Sequence, residues 1–97
     1  MAIELGGNIT LDGAFTLIEP ASLVIVKKMA GNYAKDIFTN IGEFENLYLT
    51  LNDTASQKEV IGEIKINGET KSCVATDSNL FFALDRALSE LKKKSAI

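Results

Sequence analysis

A chain of 97 residues, 46% apolar and 24% charged, is sized for a single domain spanning residues 1–97 and has no room for a second independent core. A net charge of −3 and a pI near 4.9 argue against a generic nucleic-acid binder. A local basic patch can still operate on an acidic protein, because charges more than about 8 Å apart at physiological salt are largely screened from one another.

With no His and one Cys, the chain has no internal disulfide, no zinc site and no Cys–His nucleophile; Cys73 reads as a small buried hydrophobe within a strand. No run reaches the roughly 18 apolar residues of a membrane span. The start, Met1-Ala2-Ile3-Glu4-Leu5, lacks a basic region followed by an apolar one. The expectation is a cytoplasmic protein with no membrane contact.

Residues 2–11 read as strand, a Gly6-Gly7 interruption that is a bulge or a close backbone approach, and strand again, followed by a turn at Asp12-Gly13. The spacing of a phosphate-binding Gly-rich loop is absent. Glu19-Pro20 announces a helix running to about Thr39, with Leu23, Val26, Met29 or Ala30, Tyr33 and Ile37 as its apolar stripe. Lys28, Asn32 and Lys35 share another face, bordered by Lys27 and Gly31.

Asn40-Ile41-Gly42 closes that helix. Leu47, Leu49 and Leu51 then alternate with polar residues as a half-buried strand, and Asn52 to Lys58 has turn composition. Residues 59–75 form a hairpin around Asn67-Gly68, whose two-residue turn sets Ile66 opposite Glu69, Ile64 opposite Lys71, Gly62 opposite Cys73 and Val60 opposite Ala75. The helices are assigned to the face with the small residues Gly62, Cys73 and Ala75. The other face shows Glu63, Lys65, Thr70 and Ser72, with a small apolar patch at Ile61 and Val74.

The clearest helix is the last. Asp77 and Ser78 offer capping oxygens, Leu80, Leu84, Ala87, Leu88 and Leu91 recur at helical spacing, and Asp85, Arg86, Ser89, Glu90 and Lys93 face away. Lys92, Lys93 and Lys94 either only complement its negative end or also grip an anion. The expected fold is α+β, of order β-α-β-β-β-α, a four-stranded sheet with two helices packed on one face.

No catalytic constellation is visible. Asp12, Asp53 and Asp77 sit at turns or caps, where hydrogen bonds to nearby backbone explain them, so no enzyme, cofactor, metal or small-molecule substrate is expected. The element order contains the core of a double-stranded-RNA-binding domain. Such a domain places lysines at the start of its last helix, where this chain has Asp77-Ser78-Asn79-Leu80, and that module is rejected.

The whole order resembles the ribosome hibernation factors of the ribosome-associated inhibitor and sigma-54 modulation family. Ile64-Lys65-Ile66-Asn67-Gly68-Glu69 is similar to that family's strand-Val-Asn-Gly turn, and the run Asn79 to Leu88 is similar to the start of its second helix. The resemblance implies a sheet with two adjacent helices whose exposed basic residues contact ribosomal RNA of the small subunit. It carries Lys35 and Lys93 onto basic positions late in the two helices; Lys28, Arg86, Lys92 and Lys94 extend the stripe by geometry. Asp36, Asp85 and Glu90 interrupt this surface, as in a divergent acidic member. The alternative is a protein-interaction or homodimer module acting through the open sheet face or the strand edges, without RNA.

Overall fold

Two successive residues with positive φ, Asn67 at 53° and Gly68 at 80°, build the tight turn on which the largest hairpin is hung in the computed structural model, which describes residues 2–54 and 56–95. The strands it joins are β4 (Lys58–Ile66) and β5 (Glu69–Asp77), and every pair counted outward from the turn is observed, including Gly62 opposite Cys73 and Val60 opposite Ala75. On the inner face Val60 and Ile64 are fully buried and Cys73 and Ala75 nearly so. On the open face Ile61 is half-buried and Val74 is 60% exposed.

The sheet has five strands, not four. The segment read as one interrupted strand is a hairpin, β1 (Ile3–Leu5) and β2 (Ile9–Gly13), paired antiparallel with Leu5 opposite Ile9. Gly7 at φ 76° followed by Asn8 at φ 66° reverses the chain there, so the two glycines belong to a turn and not to a bulge or a close approach. The full sheet order is β1-β2-β3-β4-β5, where β3 (Asn46–Asp53) runs parallel to β2 and antiparallel to β4.

A 3-10 turn, Ala14–Leu17, follows β2 and drives Phe15 completely into the core. The first helix, α1 (Pro20–Asn40), opens on its proline and buries Val26, Ala30, Ala34 and Ile37, with Leu23, Met29 and Tyr33 half-buried at the margins. It closes where the Ile41 and Gly42 N–H groups both donate to the Ile37 carbonyl. The second helix, α2 (Leu80–Ser95), is capped by Asn79, whose Oδ1 accepts from the Phe81 and Phe82 N–H groups at 2.9 and 3.2 Å. Asp77 instead orders the cap itself by accepting the Asn79 N–H.

Each helix leaves the end of a strand and folds back over the sheet. Because β2, β3 and β5 share one direction, α1 and α2 share the opposite one and lie parallel to each other. Ala83, Leu84, Ala87, Leu88 and Leu91 of α2 are all fully buried against β4, β5 and α1. No described helix is long and apolar enough to cross a membrane.

The seat of α2 is a missing side chain: a Cβ on Gly62 would lie 2.7 Å from Leu91 Cδ1 and 3.4 Å from Leu49 Cδ2. Both leucines are fully buried, so any shift has to be taken up inside the core. Gly62→Val should therefore destabilise the fold by about 1–3 kcal/mol through overpacking, whereas the same change at solvent-open Gly31 should have a smaller effect; urea melts of the two variants make the comparison.

Candidate nucleic-acid interface

The two helices carry seven cations and three carboxylates, a formal +4, whereas the rest of the chain carries three lysines and ten carboxylates, a formal −7. The net acidity thus conceals a division by layer: cations on the helices, carboxylates on the strands and loops. Positions opposite the buried residues of each helix form the crest of the helical layer. Lys28 and Lys35 stand there on α1, and Arg86 and Lys93 on α2, all exposed. In each pair the residues are seven apart, about 10 Å along the axis at 1.5 Å per residue.

The six cations singled out from sequence fall into two sets. Lys28, Lys35 and Lys93 make no ion pair among the described residues. The other three are tied down. Arg86 pairs with Asp77 Oδ2 at 2.7 Å and donates to the Thr76 carbonyl at 3.2 Å; Lys92 pairs with Asp36 Oδ2 at 2.8 Å; Lys94 donates to the Ser72 carbonyl at 2.5 Å. Lys27, which the sequence placed at the border of the polar face, is exposed on α1 and adds to the positive layer.

Two of the three acidic residues that interrupt the basic surface are used between the helices. Asp36 holds Lys92, and Asp85 accepts the Tyr33 hydroxyl at 2.8 Å, so the α1–α2 seam is laced by one ion pair and one hydrogen bond. Burial of the phenol, then the hydrogen bond to Asp85, then the charges of Asp85 and Asp36 push the Tyr33 pKa up to about 12. On the open face of the sheet the Tyr48 hydroxyl donates to Asp12, a bond that raises the tyrosine and lowers the carboxylate.

Cys73 is buried, its Sγ donates to the Ala87 carbonyl, and desolvation raises its pKa, the behaviour of a core thiol and not of a nucleophile. Asp53 pairs with Lys58 at 2.5 Å, and Asp77 serves the cap and Arg86. Among the described residues no group of three His, Cys, Asp or Glu side chains converges as a metal site.

No family model matches the sequence, and no curated protein matches it. Solved structures do match. A ribosomal subunit interface protein from Coxiella burnetii superposes with a TM-score of 0.71 at 18% identity, covering 91% of this chain and 92% of its own. The N-terminal domain of Protein Y from Thermus thermophilus superposes with a TM-score of 0.69 at 18% identity, covering 89% and 91%. The chain shares their fold. The hibernation-factor resemblance read from the Asn-Gly hairpin and the last helix therefore holds at the level of architecture, over nearly the whole length of each chain.

The Tyr33–Asp85 clasp is testable by titration. In Tyr48→Phe, which leaves Tyr33 as the one tyrosine, phenolate absorbance should rise with a midpoint near pH 12 instead of 10, and Asp85→Asn should bring it back down. Since the folded-state value lies above the unfolded one, the clasp stabilises fully below pH 10 and is lost as pH rises through about 12.

Proposed function

We propose that this protein is a ribosome-associated factor without catalytic activity, which docks the crest of its two helices on small-subunit ribosomal RNA and so modulates translation or ribosome hibernation in the cytoplasm. The observation that carries this reading is the separation of charge, +4 on the helices against −7 elsewhere, on a fold shared with a ribosomal subunit interface protein. Polyanion attraction acts through neighbouring charges within a screening length, so the crest and not the net charge sets the sign of the interaction.

Within the six candidate residues, Lys28, Lys35 and Lys93 would make the primary phosphate contacts, because they give up no internal partner on binding. Lys92 would follow. Its pair with Asp36 is exposed on both sides and of a kind worth at most about 1 kcal/mol, which phosphate can replace. Arg86 and Lys94 hold strand carbonyls and would contribute least. Glu90, exposed on α2, limits affinity at that end.

Co-sedimentation with ribosomes across a salt series tests this reading. Three phosphate contacts predict a slope of log K against log salt of roughly −2 to −3, at about 0.7–0.9 per contact. Lys28→Ala/Lys35→Ala/Lys93→Ala should flatten that slope and abolish sedimentation at physiological salt, whereas Lys58→Ala/Lys65→Ala, on the sheet, should sediment like the wild type. Failure of the wild type to associate even at low salt would rule the reading out.

A further inference from the structure

Among the described residues the sheet ends in two unpaired edges of different length. β1 is three residues long, too short to template another strand, but β5 runs for nine residues. The two-residue turn makes Ile66 and Glu69 a hydrogen-bonded pair, and the antiparallel ladder alternates from there. Lys71, Cys73, Ala75 and Asp77 therefore spend their backbone groups on β4. Thr70, Ser72, Val74 and Thr76 turn theirs outward, away from the sheet.

Two of those outward carbonyls already have partners. Lys94 Nζ donates to the Ser72 carbonyl at 2.5 Å, and Arg86 NH1 donates to the Thr76 carbonyl at 3.2 Å. Arg86 is held in place by Asp77 at 2.7 Å, on the same strand. The two cations stand two turns apart on α2 and reach over the edge on either side of Val74, whose side chain is 60% exposed on the open face.

The bracketed pattern is self-complementary. Two β5 strands related by a two-fold axis through Val74 would pair Val74 with Val74 and Ser72 with Thr76, exchanging N–H to carbonyl bonds at each of those positions. The carbonyls of Ser72 and Thr76 are the acceptors such a ladder needs beyond the central pair. We propose that β5 is a latent self-pairing edge whose occupant is a second copy of this chain, and that Arg86 and Lys94 hold it closed. They act by taking the two flanking acceptors and by setting like charges where the second copy would bring its own Arg86 and Lys94. This assigns Arg86 and Lys94 a task apart from RNA, one that stands or falls independently of the ribosome.

Light scattering behind size-exclusion chromatography tests the inference over a range of protein concentrations. The wild type should stay monomeric, and Arg86→Met/Lys94→Met, which keeps the apolar stems, should double in mass as concentration rises. Adding Val74→Pro should restore the monomer, because that N–H points away from β4 and its loss in both copies removes only the two central intermolecular bonds. Should the double variant fail to fold by circular dichroism, Lys94→Met alone, with the Asp77–Arg86 pair intact, carries the same comparison. A folded guard variant that remains monomeric throughout, a dimer indifferent to Val74→Pro, or a wild type already dimeric would each overturn the proposal.

Discussion

The absence of a side chain at Gly62 lets α2 settle onto β4 and β5, and most of what distinguishes this molecule follows from that seat. A Cβ there would meet Leu91 Cδ1 at 2.7 Å, so any larger residue would force that leucine to shift where the helix lies against the strand. The close approach brings Lys94 within reach of the Ser72 carbonyl and Arg86 within reach of Thr76 and Asp77. It also sets Asp85 and Lys92 against Tyr33 and Asp36 of α1. The same helix that packs on Gly62 thus carries both the cations paired within the protein and the exposed Lys93, which makes no ion pair among the described residues.

That allocation reconciles an acidic chain with a basic helix crest. The seam bonds absorb two of the three helix carboxylates, and the strand carbonyls absorb two cations, leaving Lys28, Lys35 and Lys93 exposed on the crest without an ion pair among the described residues. The surplus carboxylates sit in the other layer. Solvent-exposed pairs such as Asp36–Lys92 contribute little stability, so the α1–α2 contact rests mainly on its buried apolar residues.

The features legible in the sequence were those set by local rules. The Asn67-Gly68 turn gave the β4–β5 register residue by residue, and helical periodicity gave the buried faces of α1 and α2, because both depend on neighbours within a few positions. The two strands of the first hairpin were legible as alternation on either side of Gly6-Gly7, but the reversal between them was not, because it rests on Asn8 adopting a positive φ beside Gly7. The cap of α2 was misplaced by one or two residues within Asp77-Ser78-Asn79, three side chains all able to cap: Asn79 caps the helix, while Asp77 accepts the Asn79 N–H and pairs with Arg86. The site was legible only as a list of cations. Whether each is free depends on contacts such as Lys92 with Asp36, 56 positions apart, which no spacing rule reports.

The central claim is that the helix crest, and not the sheet, faces RNA, and lysine-reactivity footprinting on the small ribosomal subunit reads this residue by residue. The account predicts that Lys28, Lys35 and Lys93 lose reactivity toward an amine-acylating reagent when the protein is bound, while Lys65 on the open sheet face keeps it. Protection of Lys65 with Lys28, Lys35 and Lys93 unchanged would contradict it.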